Sequence, residues 1–522
     1  MKLARLLVAP RRFHSFTTNP IFYVNAGPHI GHLYTALLSD AHCRWMRLKQ
    51  PNDTHKLTVG TDEHGMKIWN TAKSRGKEPQ QHCDEISQEF AVLFRKFGIS
   101  HTDFIRTTQH RHIEAVLHFW NILMEKDLIY KSSYEGWYST VDECFYANDE
   151  VQTVKVNGKD VTISKETQSE VQWTQEENYM FRLTKFLDKI DEWITNRDPI
   201  RPLQYVPSVK QMLSSTADLS VSRPRSRLPW GIAVPGDNSQ TIYVWLDALV
   251  NYLTLAAFPQ QMTEWPPTCQ LIGKDILKFH AIYWPSFLLG AGFELPQRIF
   301  VHGHWLVDNR KMSKSLGNVV DPNEAAQRLT VEGLRYFLLR QGVPHEDSNY
   351  TEKKAVEVIN ADLVNNLGNL LSRSTIDKLN PAQKYPSFDI STLDESSNVS
   401  ALLADIHQIR EKVAHSFDDL MFYKGLEHVM ALLKQANGFF QLNQPWKMQD
   451  GPKLQSILYL TYESVRISSV LLQPIVPNLA DRCLTRLGVN TDRRDLSSAI
   501  LGGSADSFTL GSHEGNVMGR LQ

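Results

Sequence analysis

The chain has 522 residues, 42% of them hydrophobic, and a formal net charge of −1. That length predicts several domains rather than one core, and the near-neutral charge excludes a generally sticky nucleic-acid binder, so any RNA contact has to come from local patches. No apolar run reaches the roughly 20 residues of a membrane-spanning helix, and Cys43, Cys83, Cys144, Cys269 and Cys483 are too scattered for a Cys-x-x-Cys knuckle and read as reduced intracellular thiols.

Residues 1–17 carry Lys2, Arg5, Arg11 and Arg12, and the first acidic residue of the chain is Asp40. An acid-free, arginine-bearing leader predicts a mitochondrial transit peptide; Arg5 interrupts the apolar stretch a secretory signal would need, and a plain disordered tail is the remaining alternative. Thr18 to Val24 is rich in β-branched and aromatic residues and reads as a buried strand, broken by Gly27-Pro28. After Gly31 the positions Leu33, Ala36 and Leu37 are helical in spacing. His29 and His32 therefore sit at a strand-to-helix turn, where a helix N-terminus favours phosphate and Gly31 lets a nucleotide approach the backbone. A turn that merely contains two histidines is the bland alternative.

Leu57 to Gly60 reads as a strand, and Asp62-Glu63-His64 follows at its carboxyl end, where open parallel sheets place ligands. By residue type these three suit a metal; a capped turn into a helix near Met66 is the structural alternative, and no further ligands are spaced to complete a shell. From about 126 to 240 the alternation of strands and helices is interrupted by short strands, Gly136-Trp137-Tyr138-Ser139, Cys144-Phe145-Tyr146 and Val154 to Val161, joined by Asn-Gly and acidic turns. Asn178 to Ile194 reads as a helix with Tyr179, Phe181, Leu183, Phe186 and Leu187 on its apolar face. The α/β pattern resumes at Thr241. There Trp245, Ala248 and Tyr252 fall at i, i+3 and i+7, a stripe that suits a core as well as a pocket.

Ile299-Phe300-Val301 is strand-like and leads through His302-Gly303-His304 to the loop Lys311-Met312-Ser313-Lys314-Ser315, whose cations are free to move over a ligand or simply to face water. A mixed segment, Asp321 to about Glu352, precedes a wholly helical remainder. Leu363, Leu367, Leu370 and Leu371 form a stripe, and Asn369 and Arg373 lie off it. Asn380 to Ser387 reads as a linker, and the last 20 residues, beyond Gly502-Gly503-Ser504, as frayed.

Taken together, Pro28-His29-Ile30-Gly31-His32 and Lys311-Met312-Ser313-Lys314-Ser315 resemble the paired signatures of class I aminoacyl-tRNA synthetases. Gly60 to Gly65, Tyr243 to Ala248 and Gly273 to His280 are similar to segments of the methionyl-tRNA synthetase family, in its mitochondrial and compact bacterial-like branch. The resemblance implies a doubly wound, Rossmann-like parallel-sheet α/β catalytic domain with a connective insert, followed by an α-helical anticodon-binding bundle. The expected boundaries are 1–17 for the transit peptide, 18–125 and 241–318 for the two catalytic halves, 126–240 for the insert, 319–355 for a linking segment and 356–522 for the bundle.

It further implies a two-step reaction, attack of methionine carboxylate on the ATP α-phosphorus and then transfer of the methionyl group to the terminal ribose of tRNA(Met). Such chemistry needs no protein nucleophile, only positioning and charge stabilisation. His29, His32, Lys311 and Lys314 are the implied catalytic residues, with Gly31, Lys274 and Asp275 also on the ATP. Asp62 is implied for the methionine ammonium, and Ile21, Tyr23, Trp245, Ala248, Tyr252 and His280 for its side chain. Aromatic walls suit a thioether, with His280 as one donor to its sulfur and Phe279 packed behind that ring. Asn369 and Arg373 are implied anticodon readers and Trp446 the aromatic that stacks on an anticodon base. ATP is expected with Mg²⁺ as its substrate complex, without a dedicated metal site; relatives often carry zinc knuckles in the insert, and with only Cys144 there no structural zinc is expected. The expected protein is a monomer of the mitochondrial matrix. Synthetases for leucine, isoleucine or valine usually need a larger editing insert, a small-metabolite adenylyltransferase has no use for so long a helical half, and a non-catalytic tRNA-binding protein would tolerate damaged signatures.

Overall fold

The computed structural model describes residues 14–140, 144–156, 159–165, 167–262, 264–312, 317–393, 398–503, 509–512 and 515–522. A parallel sheet organises the first part, its strands running in the order Ile200–Arg201, Ile299–His302, Cys269–Gly273, His14–Thr18 and Thr54–Asp62. Phe22–Tyr23 and Asp103–Arg106 both pair with Thr54–Asp62 at the far edge. Thr17 lies opposite both Leu57 and Cys269, so His14–Thr18 is the central strand. The chain winds first toward Thr54 and later returns to lay Cys269–Gly273 on the other side, which opens a crevice at the carboxyl ends where the winding reverses.

That central strand starts earlier than the sequence predicts. Of Thr18 to Val24 only Thr18, Phe22 and Tyr23 are in strands, whereas all of His14–Thr18 is. Phe16 and Thr17 are buried, so residues 14–17, expected within the leader, form part of the parallel sheet. Lack of acids cannot separate a leader from a buried strand, because both avoid them. The rest of the predicted transit peptide, residues 1–13, lies outside the described residues.

The region 126–240 also needs two corrections. Gln172–Phe181 is a long strand paired residue for residue with Ile129–Ser139, so Asn178 to Phe181 are not helical; the helix is Leu187–Arg197. Tyr179, Phe181 and Leu183 alternate with period two, and that period prevails over the helical reading. Ile200–Arg201 then pairs with Ile299 and Phe300 of the parallel sheet, so the chain touches the main core in the middle of its expected insert. Around these lie the hairpin Val151–Val156 with Lys159–Ser164 and a small sheet of Ser222–Pro224, Asp237–Ile242 and Ala233–Val234.

Beyond the sheet, helices Pro322–Leu329 and Val331–Gln341 make the linking segment part of the core, with Leu334, Phe337 and Leu338 buried. Glu352–Ile359, the π-wound Asn360–Gly368 and Asn369–Ser374 follow without a break, and Val399–Asp418, Phe422–Asn443, Pro452–Leu472 and Pro477–Arg486 complete the bundle. One hydrophobic core runs through both halves: Leu33 and Trp45 from the helix Ile30–Lys49 share it with Phe417 and Leu426 of the bundle. At its centre Arg335 donates to Asp40 at 2.8 Å, to the Phe97 carbonyl at 2.7 Å and to the Ile475 carbonyl at 2.9 Å. Nor are the described residues at the C-terminus frayed, while 504–508 and 513–514 lie outside the described residues. Asn360 and Leu521 exchange two hydrogen bonds of 2.9 Å, and Leu510 and Met518 are buried.

Candidate functional site

The turn at Pro28 to His32 builds its own cap geometry. The Gly31 N–H donates to His29 Nδ1 at 3.0 Å and the His29 N–H to His32 Nδ1 at 3.2 Å, a reciprocal cap on the helix Ile30–Lys49. Because both Nδ1 atoms accept, each ring keeps its proton on Nε2. The rings stack at 3.8 Å, and burial, then the neighbouring His29, push His32 well below the ordinary histidine range. Two neutral rings thus present N–H donors beside a helix N-terminus, the arrangement a polyphosphate needs. A Cβ at Gly31 would sit 2.8 Å from the His29 ring, so only glycine fits.

The lysine loop meets this turn. The same Gly31 Cβ position is 3.5 Å from Met312 Cε, and the Ile30 N–H donates to the Val320 carbonyl at 3.2 Å, so the segments flanking the loop close on the cap. Lys311 Nζ is 3.5 Å from Asp275 Oδ2, and His304 Nε2 is 3.3 Å from Asp275 Oδ1. Burial would raise the Asp275 carboxyl, but His304 and Lys311 hold it far below the usual carboxylate range. Lys274 pairs with Asp347 at 2.7 Å. Lys314, with Ser313 and Ser315, lies outside the described residues.

Across the crevice, Asp62 ends the strand Thr54–Asp62 beside Tyr23, its register partner. Glu63 and His64 turn away from it. Glu63 takes Arg106 at 2.7 and 3.0 Å with Thr61 and Thr108, while His64 Nδ1 donates to Asp247 at 2.6 Å, so the three do not converge as metal ligands. Among the described residues no group of three His, Cys, Asp or Glu could hold a metal ion. Nor is the turn capped by a side chain: Gly65 occupies the N-cap of Met66–Ser74.

Trp245, Ala248 and Tyr252 do share the helix Val244–Leu255, with Ala248 and Tyr252 buried. Two details of the pocket differ from expectation. Phe279 packs flat against Trp245, centroids 3.6 Å apart, rather than behind His280. His280 Nδ1 donates to the Ile276 carbonyl at 2.9 Å, so its Nε2 accepts the Tyr252 hydroxyl at 2.8 Å and has no proton to offer a sulfur. Burial leaves this histidine neutral, lowered to about 4. Ile21 packs with Phe16, Ile105, Leu255 and Ala256 at the far end of the same helix.

Sequence reasoning missed the group behind that pocket. Asp247 accepts from His64 Nδ1 and, at 2.8 Å, from His112 Nε2; burial would raise its carboxyl, but the two histidines bring it down to about 2. Arg223 is also buried, donating to Ser220 and Ser222 with its guanidinium 4.5 Å from the centre of the Tyr243 ring. Its signal in sequence is slight, one arginine among three in the run Arg223 to Arg227. His64 and Asp247 stand inside the quoted segments, but their partnership spans 183 positions and no local pattern announces it.

In the bundle, Asn369, Arg373 and Trp446 line one groove of about 470 Å³, with Phe440 and Gln441. Arg373 donates to Gln441 Oε1 at 3.2 Å and lies 5.3 and 5.9 Å from the Phe440 and Trp446 rings. Trp446 is half-buried, tilted 49° to Phe440.

The family model of class I tRNA synthetases (M) matches residues 15–375. The chain belongs to the class I methionyl-tRNA synthetases. It is 48% identical over 504 residues to the mitochondrial methionine–tRNA ligase of Homo sapiens, covering 92% of this chain and 85% of the human one. With the mitochondrial methionine–tRNA ligase of Xenopus laevis it is 43% identical over 537 residues, covering 100% of this chain and 95% of the frog protein. Among solved structures, methionyl-tRNA synthetase of Mycobacterium tuberculosis in complex with methionyl-adenylate superposes with a TM-score of 0.90 at 36% identity, covering 97% of this chain and 100% of the other. The free state of the Mycobacterium tuberculosis enzyme gives 0.83 at 34% identity, covering 98% and 99%. Family membership and the parallel-sheet core with its helical C-terminal half agree.

Proposed function

We propose that methionine–tRNA ligation, the activity this chain shares with its family, runs through two sites on one core. In the crevice, His29 and His32 hold the ATP phosphates through their Nε2–H groups, with the backbone approached at Gly31. Lys311, with Lys314 of the same loop, neutralises charge on the departing pyrophosphate, and Asp275 keeps Lys311 at the crevice mouth. Asp62 binds the methionine ammonium. Tyr23, Trp245, Ala248, Tyr252 and His280, with Ile21 behind the strand end, enclose the side chain. His280 acts there as a neutral wall fixed by Ile276 and Tyr252, so selection of a thioether rests on fit to aromatic faces and not on a hydrogen bond from that ring. The substrate carboxylate is the nucleophile and the residues position it and stabilise charge.

The observation that carries this reading is the meeting of the histidine cap and the lysine loop across Gly31 and Met312. ATP enters with Mg²⁺ as part of the substrate. No structural zinc is assigned to the insert, whose cysteine is Cys144 alone. Asn369, Arg373 and Trp446 read the tRNA(Met) anticodon in the bundle groove. The relatives named as mitochondrial and the basic leader support action in the mitochondrial matrix, with residues 1–13 as the core of the transit peptide; the protein works as a monomer. ATP–pyrophosphate exchange with each amino acid in turn tests the substrate: exchange with methionine well above all others is expected, and a different preferred amino acid overturns the assignment.

A further inference from the structure

The geometry points to the buried His64–Asp247–His112 network as a positioning device that fixes the span between the Asp62 carboxylate and the aromatic pocket, so that recognition of the amino group and of the side chain depend on each other. This rests on the assignment of Asp62 and of the helix Val244–Leu255 to methionine. Asp247 belongs to that helix, one residue before Ala248. Its two oxygens are committed in different directions, one to His64 at 2.6 Å and the other to His112 at 2.8 Å. The second ring nitrogen of His112 lies 3.0 Å from Thr254 Oγ1, two turns further along, so His112 brackets the helix. His64 follows Asp62 by two residues and carries the link to the strand end.

The Asp62 side of the link is equally constrained. The Glu63 N–H donates to Thr107 Oγ1 at 2.9 Å, Trp230 Nε1 donates to the Glu63 carbonyl at 2.5 Å, and the Gly65 N–H donates to the Trp230 carbonyl at 3.0 Å. With the backbone pinned on both sides of His64, its ring transmits a fixed offset to Asp247. Packing alone does not require a carboxylate here, since Leu246, Leu249 and Val250 on the same helix are buried apolar residues. Burying an anion costs more than burying a leucine, and what directional contacts add is lateral precision, in which a displacement of about 1 Å at a reacting group costs about a hundredfold in rate.

The test compares dissociation constants of the full-length protein for methionine and for its des-amino analogue, the same thioether acid without the amino group. In the wild type the amino group strengthens binding, and their ratio measures that gain. Asp247→Asn and His64→Ala are expected to lower the ratio about tenfold, while the affinity of the analogue changes little. His64→Asn, whose amide places a donor where Nδ1 stood, is expected to keep the ratio near wild type. A ratio unchanged in His64→Ala, or equal losses for both ligands in His64→Ala and His64→Asn together with a lowered melting temperature, overturns the positioning role. Should Asp247→Asn not fold, the two His64 variants decide alone. A wild-type ratio near one overturns the assignment of Asp62 instead, a different failure from that of the network.

Discussion

The crevice and the bundle groove are built in opposite ways. The groups described in the crevice are held by partners of their own, His29 by the local helix cap and Asp275 and Asp247 by residues distant in sequence, His304 and Lys311 for the first, His64 and His112 for the second. The groove is built mostly from neighbours on adjacent helices, with Arg373 exposed and tied to one glutamine. Rigidity suits the first, where charge develops over tenths of an ångström and preorganised donors have most effect. Adaptable polar and aromatic groups suit the second, on the proposed reading that a base is splayed out and stacked there. The shared core joins them, since the helix that starts at the histidine cap ends with Trp45 donating to Asp418 of the bundle at 2.7 Å.

That junction is where the contrast is broken most severely. Arg335→Met deprives buried Asp40 of its buried guanidinium partner, leaving it only Arg44 and the Ser100 donors, and leaves the Phe97 and Ile475 carbonyls without theirs; it is expected to cost about 3–5 kcal/mol. With one core spanning both halves, denaturant melts followed by exchange activity and by tRNA binding are expected to coincide in wild type and variant alike; separate transitions would show two independent domains. The pH dependence has a definite sign. Burial raises the Asp40 carboxyl, but Arg335, Arg44 and the Ser100 contacts outweigh it and leave it lowered. Its stabilisation is therefore present above the ordinary carboxylate value and lost as pH falls through the lowered one, and Arg335→Met is expected to show a shallower loss of stability in acid.

His32→Ala confines the damage to the crevice. It removes one proposed phosphate donor and the acceptor of the His29 N–H, and single-turnover adenylate formation is expected to fall by roughly 10²–10³-fold, the usual cost of one charge-stabilising donor. The lost cap contributes about 1 kcal/mol to stability, so the melting temperature should move little. A raised methionine dissociation constant with an unchanged rate would remove the pair from the chemistry.

The same contrast explains what was legible in the sequence. Motifs that act over a few residues were readable: the His29/His32 cap, the pocket helix with Trp245, Ala248 and Tyr252, and the off-stripe pair Asn369 and Arg373 that turns out to face Trp446. Features set by long-range pairing were not. The central strand His14–Thr18 hides in an acid-free leader, the strand end Asn178–Phe181 carries a spacing that also suits a helix, and His64, Asp247 and His112 meet only once the sheet is assembled. His280 was found, but its role as a donor was overturned because the Tyr252 hydroxyl reaches the nitrogen that a sulfur would need. The carboxyl-terminal residues lacked the look of a docked segment because a few hydrogen bonds to Asn360, and not a periodic apolar face, hold them.

Trp446→Ala sharpens the comparison from the bundle side. Base stacking on an aromatic contributes roughly 1–3 kcal/mol, so tRNA charging is expected to fall by roughly 10–100-fold while pyrophosphate exchange is nearly unchanged. Were the ring a core residue, its loss would cost roughly 3–5 kcal/mol and lower the melting temperature instead. Its half-buried place on the groove wall beside Phe440 favours the first outcome. Equal loss of exchange and charging would remove the groove from anticodon reading.

The smallest expected effect is the most discriminating. Arg373→Lys keeps the positive charge over the Phe440 and Trp446 rings but removes the planar fork that donates to Gln441 and still offers N–H groups to a base edge. If the groove only attracted phosphate, the substitution would be neutral in charging assays at physiological salt. If it reads a base edge, charging of the cognate tRNA is expected to drop by about threefold to tenfold, an anticodon-substituted tRNA is expected to lose less, and exchange and melting temperature are expected to stay at wild-type values. Ionic strength separates the two further, because a phosphate contact weakens with added salt in both proteins alike, while the lost edge contact leaves a difference that salt does not erase. A variant that charges cognate and substituted tRNA with the wild-type ratio would place Arg373 among the general electrostatic contacts and leave reading to Asn369 and Trp446.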